Sequence, residues 1–331
     1  MILVTGVSGH VGSNLVRLLL EQQEEVRAMV RADQRSIQGL SVQPMTADLC
    51  HPDTLTPLLE GIDLVYHCAA HIAVGADAGQ CQKVNVEGTR NLIEACKRAG
   101  TRRLMYFSSI HAMDPDPVDE ILDETRALVG PHGTAPYDCS KAAAETLALE
   151  AQNQGLETVV IAPTGVLGPH DFKPSRMGRV LQAMSEHRFP ALLDSGFDWV
   201  DARDVCKAAI AAAAAAPSGS KYVISGGWAS MKELAATVET ACGTPPPSWF
   251  LPIWSARMGV PFATLWSWLT RTEPSLSNAS LNILAHQARQ VSQERALQDL
   301  GHRPRPLVET VTDSLRWAKQ AGMIDIEIKD A

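Results

Sequence analysis

The chain has 331 residues, enough for one elaborated domain or two unequal ones with a substantial core. With 45% hydrophobic and 20% charged residues, its composition is that of an ordinary globular protein and excludes a disordered one. A formal net charge of −8 with no evident basic face argues against a nucleic-acid partner.

The first element is the apolar run Ile2-Leu-Val-Thr5, which feeds Gly6-Val7-Ser8-Gly9-His10-Val11-Gly12 and then the helical pattern of Ser13–Leu20. Strand, tight turn and helix in that order build a site for a dinucleotide pyrophosphate. Gly6 takes a backbone conformation other residues resist, Gly9 lets the backbone approach phosphate, and Gly12 lets helix and strand pack closely. The helix N-terminus offers unpaired N–H groups and a partial positive charge. Gly6, Ser8, Gly9, His10, Val11 and Gly12 are therefore candidate cofactor contacts. Glu25–Val30 alternates as a second strand that ends at Arg31. An acidic residue there would grip the ribose hydroxyls of NAD; Arg31, assisted by Arg35, suits a 2′-phosphate instead. NADP(H) is thus favoured over NAD(H), with Asp33 keeping the second open.

Further along, Val42–Met45 reads as a third strand, Asp53–Glu60 as a helix, Asp63–His67 as a fourth strand and Val84–Ala99 as a helix. Leu104–Ser108 is a fifth strand, Tyr137–Gln154 a long helix and Thr158–Ala162 a sixth strand. Strands alternating with helices at this spacing predict an α/β fold with a doubly wound parallel sheet. Past residue 163 the period breaks. A helix at Val205–Ala216 contains six consecutive alanines, a strand follows at Lys221–Ser225, and a helix runs from about Met231 to Ala241. Gly243-Thr-Pro-Pro-Pro247 marks a boundary, and the last helix is Leu307–Ala321. Residues 1–163 plus 199–243 are expected to form the dinucleotide-binding domain, and 164–198 plus 244–331 a smaller, mostly helical substrate lobe. The cleft between them would lie at the carboxyl ends of the strands.

Residues 249–269 are apolar and rich in Trp, but Pro252, Arg257 and Pro261 interrupt them. They are expected to be helical segments over a substrate pocket or a subunit interface rather than a membrane contact. The basic clusters Lys97-Arg98 with Arg102-Arg103, and Arg303-Pro-Arg305, are expected on solvated surface. Seven cysteines, odd in number and without a CxxC pair, fit reduced thiols. With no leader ahead of the first strand, a cytoplasmic location is expected.

The candidate chemistry sits at Tyr137 and Lys141, four apart on one helix face. A phenol exchanges protons poorly at neutral pH, and a neighbouring ammonium together with an oxidised nicotinamide would favour its ionised form. Ser108-Ser109 closes the fifth strand, where a hydroxyl can hold and polarise a substrate oxygen. His67 and His71 share no helix face, so no metal site is expected.

Together these motifs resemble the extended short-chain dehydrogenase/reductase superfamily. They run in order from TGxxGxxG at Thr5–Gly12, through Asp48-Leu49, His67-Cys-Ala69-Ala70 and Asn85-Val-Glu-Gly-Thr89. Ser108-Ser109, Tyr137-xxx-Lys141 and Pro163-Thr164 complete the series. Gly168-Pro-His-Asp-Phe-Lys-Pro, Trp199-Val-Asp-Ala-Arg-Asp-Val and Leu300-Gly-His-Arg-Pro-Arg-Pro are similar to the dihydroflavonol reductase-like branch, closer still to hopanoid-associated sugar epimerases. The resemblance implies Ser109 as the catalytic hydroxyl, Tyr137 as general acid/base, Lys141 bonding the ribose, and Asn85 bracing the active-site helix. It also implies Asp48 and Leu49 beside adenine, Ala69, Ala70 and Ser108 along the cofactor, and Pro163 and Thr164 at the nicotinamide end. His111 departs from the usual small-residue loop and reads as a loop or pocket residue. The resemblance further implies a homodimer formed through the helices near Val84 and Tyr137.

Three functions follow. The first is an NADP(H)-dependent oxidoreductase that reduces an aldehyde or ketone. The second is an epimerase or dehydratase acting on a sugar nucleotide without net redox, for which Lys173, Arg176, Arg179 and Arg188 read equally as diphosphate contacts or as a solvated basic loop. The third is a non-catalytic dinucleotide sensor, which the retained tyrosine and lysine disfavour.

Overall fold

The short apolar runs become one sheet because each of them, apart from the exposed edge strand Gln43–Thr46, is buried on both faces. The computed structural model describes residues 1–72, 78–131, 133, 135–258, 260, 281, 284 and 287–329. In chain order it places β1 (Ile2–Thr5), α1 (His10–Glu21), β2 (Val26–Val30), β3 (Gln43–Thr46), α2 (Leu55–Leu58) and β4 (Leu64–His67). There follow α3 (Ala78–Cys81), α4 (Gly88–Ala99), β5 (Arg103–Phe107), α5 (Pro136–Ala151) and β6 (Glu157–Pro163). The later elements are β7 (Gly165–Leu167), α6 (Arg176–Ser185), β8 (Ala191–Leu193), β9 (Gly196–Asp201), α7 (Ala202–Ala215), β10 (Lys221–Ile224) and β11 (Trp228–Ser230). Last come α8 (Met231–Cys242), β12 (Trp249–Leu251), α9 (Glu294–Leu300) and α10 (Leu307–Gln320).

Seven strands pair in parallel in the order β10-β6-β5-β4-β1-β2-β3. Successive side chains serve opposite faces. Ile2 and Val4 join a core with α1 and α7, while Leu3 joins one with α4. Strand order reverses between β1 and β4, which opens a crevice at their carboxyl ends. The doubly wound sheet expected from the sequence is therefore the fold.

Beyond it, β7, β9 and β11 make a small sheet and β8 pairs with β12. α8 packs mainly with α6 and α10 around Leu181, Met184, Leu234, Val238, Val311 and Leu315. The sequence reading grouped α8 with the nucleotide-binding part; its apolar face instead completes this second layer. Two stretches singled out in the sequence meet here. Arg203 bonds Asp201 and Asp313 at 2.7 Å each, and Arg305 bonds Asp204, tying the start of α7 to α10.

Several sequence expectations change. The helix expected at 53–60 is a 3-10 turn at Pro52–Thr54 followed by the four-residue α2. The helix expected from Val84 begins at Ala78 and includes a π-helical stretch, Gln82–Glu87. Within the Trp-rich segment, Trp249–Leu251 is a strand, and Trp249, Trp254 and Met258 are 68%, 66% and 69% exposed. Residues 259 and 261–269 lie outside the described residues. Among the described residues no helix is long and apolar enough to cross a membrane.

Arg103 and Arg305 are not the solvated arginines expected. Arg103 is 8% exposed, and its guanidinium donates to the carbonyls of Ala213 (2.6 Å) and Ala216 (2.9 Å) at the end of α7. The alanines there carry no polar group of their own, so the free carbonyls of the helix end recruit a cation from the sheet. Arg103→Met should lower unfolding free energy by about 2–4 kcal/mol in urea titrations, because buried carbonyls lose charge-assisted donors.

Candidate active site

At the end of β1 the chain turns through Gly6 at φ +71, where a side chain would be strained. A Cβ there would come within 2.6 Å of the Ala69 nitrogen, and one at Gly12 within 2.3 Å of the Gly6 carbonyl oxygen. The turn is thus compressed between β4 and α1. α1 starts at Gly9 with no side-chain cap, so its first-turn amides point into the crevice beside half-buried Ser8 and Val11. This cradle fits a dinucleotide pyrophosphate.

The His10 ring does not face that cradle. Its Nε2 lies 3.1 Å from the carbonyl oxygens of Gly168 and Pro169, while Ser13 Oγ donates to His170 O and Asn14 Nδ2 to Pro169 O. Only the His10 backbone remains for the cofactor role, because its side chain is spent on clamping the 168–170 loop.

Arg31 is exposed just past β2. Arg35, expected to assist it, is held by Asp33 through contacts of 3.0 and 2.8 Å, and the same contacts pull the Asp33 carboxyl down to about 2. Asp48 Oδ1 accepts the Cys50 amide and its carboxyl is lowered by that bond. Leu49, by contrast, is 4% exposed and packs into the core beside Gly88, so its side chain is structural.

The carboxyl ends of β1 and β4 are joined by a buried chain of hydrogen bonds. The Ala69 amide donates to Thr5 Oγ1 (3.2 Å), Thr5 Oγ1 lies 2.8 Å from His67 Nδ1, and His67 Nε2 lies 3.0 Å from Thr89 Oγ1. Thr89 Oγ1 donates to the Asn85 carbonyl at 2.6 Å. Thr89 therefore accepts from a protonated Nε2, and Nδ1 accepts from Thr5, which leaves the ring neutral. Burial pushes its pKa down to about 3. The sequence reading placed His67 in the His67-Cys-Ala69-Ala70 motif and rejected it as a metal ligand, without assigning it this role. Its place after an apolar strand, with threonines at the ends of β1 and in the Asn85 motif, was the available signal.

Asn85 sits within the π-helical stretch, whose extra residue turns its amide inward. Nδ2 donates to His71 O (3.0 Å) and Ser140 Oγ (2.9 Å), and Oδ1 accepts the His71 amide (2.7 Å). It ties the loop after β4 to α5. Ala69 is half-buried and Ala70 exposed in that loop. Pro163 ends β6, and the Thr164 amide donates to Ile224 O.

Ser109 and Tyr137 meet at the carboxyl end of β5. The Ser109 side chain stands near the Tyr137 phenol and favours its ionised form, and Ser109 Oγ accepts the His111 amide at 3.2 Å. Burial of the phenol outweighs that influence and pushes it upward. The expectation that Lys141 depresses the phenol is corrected here. Lys141 Nζ instead donates to Phe107 O at 2.5 Å and lies 4.5 Å from the centroid of the Tyr106 ring. Ser108 is also corrected: its hydroxyl turns inward to Glu145 Oε2 at 2.5 Å, so its side chain is not a cofactor contact. The ring of His111 stands edge-on to Tyr137, with Nδ1 3.9 Å from Asp138. Among the described residues no cluster of three metal-ligating side chains is found.

Residues 2–225 match the NAD dependent epimerase/dehydratase family. A protein of Methylococcus capsulatus named sterol demethylase protein B is 30% identical, the match covering 97% of this chain and 99% of that one. A 2-alkyl-3-oxoalkanoate reductase of Stenotrophomonas maltophilia is 32% identical, with 93% and 96% covered. The crystal structure of gox2253 superposes with a TM-score of 0.85 at 30% identity, covering 98% of this chain and 99% of that one.

Stability should decline as pH falls below about 6.5. In that range the unfolded His67 takes up a proton while the folded ring, held down to about 3, does not. His67→Gln should melt at a lower temperature at pH 7 yet lose less on acidification, which thermal melts across that range would measure.

Proposed function

This chain belongs to the NAD-dependent epimerase/dehydratase family and is an enzyme of the short-chain dehydrogenase/reductase superfamily, and we propose that it reduces a ketone or aldehyde to the alcohol, or runs the reverse. The observation that carries this reading is the Ser109–Tyr137 pair, with the phenol held protonated by burial at the mouth of the sheet crevice. A protonated phenol is the form that reduction consumes. The relatives named for sterol and 2-alkyl-3-oxoalkanoate chemistry support an apolar carbonyl compound as substrate.

When bound, the nicotinamide dinucleotide supplies the hydride donor or acceptor. The Gly6–Gly12 turn and the first-turn amides of α1 would hold its pyrophosphate, and Lys141 a ribose hydroxyl. Arg31 would meet a 2′-phosphate, which favours NADP(H). Asp33 supports this choice, since the carboxylate that would grip the ribose hydroxyls is already taken up by Arg35. Ser109 donates a hydrogen bond to the carbonyl oxygen and fixes its orientation. Tyr137 Oη delivers its proton to that oxygen as the carbonyl carbon gains hydride, and the alcohol leaves. Asn85 keeps α5 and the loop at His71 in register throughout.

A sugar-nucleotide epimerase would use the same residues without net cofactor change. Two of the cations available for its diphosphate are otherwise engaged, which supports the reductase reading. Arg188 pairs with Glu186, and Arg179 donates to the Pro174 carbonyl. The homodimer expected through the helices near Val84 and Tyr137 remains part of the proposal.

Tyr137→Phe should cut turnover of a carbonyl panel by about 10²–10⁴-fold while dinucleotide binding persists, measured by NADPH absorbance and fluorescence. Full activity in the variant would remove the phenol from the chemistry. No net NADPH consumption by the native enzyme, with sugar nucleotides interconverted instead, would establish the epimerase reading. Arg31→Ala should weaken NADPH binding about tenfold or more, with little effect on NADH. Equal losses for the two would show that the arginine does not read the 2′-phosphate.

A further inference from the structure

The mechanism above leaves one buried charge unused. Glu145 lies one helical turn beyond Lys141 on α5 and is 1% exposed. Its Oε2 accepts the Ser108 hydroxyl at 2.5 Å, and its Oε1 pairs with Lys221 Nζ, on β10, at 2.6 Å. Lys141 is 2% exposed and donates to the carbonyl of Phe107, the residue just before Ser108. Successive turns of α5 thus grasp successive residues where β5 gives way to the Ser109 corner, one through a cation and the other through an anion.

We propose that Glu145 is a positioning residue that keeps the Lys141 ammonium charged and anchors the Ser108-Ser109 corner, thereby setting the pH range over which the site grips its dinucleotide. This rests on the reading that Lys141 bonds the cofactor ribose.

The charges around Lys141 give the direction of the effect. Burial works against its ammonium and Glu145 opposes that loss, which together leave it at about 8. The groups that face Lys141 from the packed elements are mostly uncharged. His67 at the end of β4 is neutral, and burial pushes the Cys68 thiol, the Tyr106 phenol on β5 and the Tyr137 phenol upward, so all three stay protonated. Lys221 stands on the far side of Glu145 and shares its charge. Glu145 is therefore the anion that offsets the burial of Lys141 among these groups, and Lys221 limits how much of it Lys141 receives.

NADPH affinity of the full chain, followed by cofactor fluorescence from about pH 7 to 10, reads this directly. The native chain should bind more weakly as pH rises through about 8, where burial, offset by Glu145, leaves Lys141. Lys141→Met should remove that decline. Glu145→Gln keeps the amide within reach of Ser108 but drops the charge, and should move the midpoint down by about one pH unit, a tenfold change in proton affinity. Lys221→Met should move it up, since Glu145 then serves Lys141 alone. A purely structural role would lower melting temperatures in both variants without moving the midpoints in opposite directions. An intact decline with unmoved midpoints overturns this inference and leaves Lys141 at the ribose. A profile flat in the native chain, or unchanged in Lys141→Met, overturns the ribose reading and this inference with it. Should Glu145→Gln fail to fold, an unmoved midpoint in Lys221→Met is sufficient to overturn the proposal.

Discussion

The neutral ring of His67 is the constraint on which the rest of the site depends. Each ring nitrogen has a fixed job, one accepting from Thr5 and the other donating to Thr89, and each threonine passes the polarity onward to Ala69 and Asn85. A proton added to Nδ1 would set two donors against each other at Thr5 and charge a fully enclosed ring, so the directions of the whole chain are locked. That lock holds the loop after β4 against the glycine turn of β1. It also fixes the carbonyl of Asn85, whose side chain then joins His71 to Ser140 on α5. The helix carrying Tyr137 and Lys141 thereby takes its height over the sheet from a histidine on the strand next to the one that leads to Ser109.

The N-terminus of α1 serves two parts of the molecule at once. Its amides face the crevice, while the side chains of His10, Ser13 and Asn14 hold three carbonyls of the 168–170 loop. His170 takes φ +62 there, an arrangement rare for a residue with a Cβ, and its ring packs on Phe172 and Trp317. The turn that cradles phosphate and the loop that opens the lobe are thus one rigid joint. The ion pairs of Arg203 and Arg305 close the same joint from the side of α10.

Burial governs the chemistry more than charge pairing does. The phenol of Tyr137 is pushed upward and the ammonium of Lys141 downward by the same loss of water, which drives their proton affinities further apart than in solution and keeps the proton on the phenol. The neighbouring ammonium, the cause expected from the Tyr-xxx-Lys spacing alone, contributes less than the walls around both groups.

The sheet, its parallel sense and the order of its elements were legible in the sequence, because strands buried on both faces must be apolar throughout and helices must carry one apolar stripe. The glycine turn was legible for a related reason. Positions 6 and 12 leave no room for a Cβ, and no other residue type satisfies that requirement. Ser109, Tyr137, Lys141 and Asn85 were found through the order of their motifs, each type being suited to one step of a proton transfer. What tertiary structure alone decided was where each side chain points. Ser108 and Ser109 are neighbours of the same type, yet alternation along an extended chain sends one to Glu145 and the other to Tyr137. His10 lies inside the phosphate motif and faces away from it, and Arg103 looks solvated but caps a helix 110 residues downstream. These choices depend on which unpaired carbonyl, carboxylate or hydroxyl another part of the chain brings within 3 Å. Such encounters exist only once the chain has folded, so composition and spacing carry no record of them.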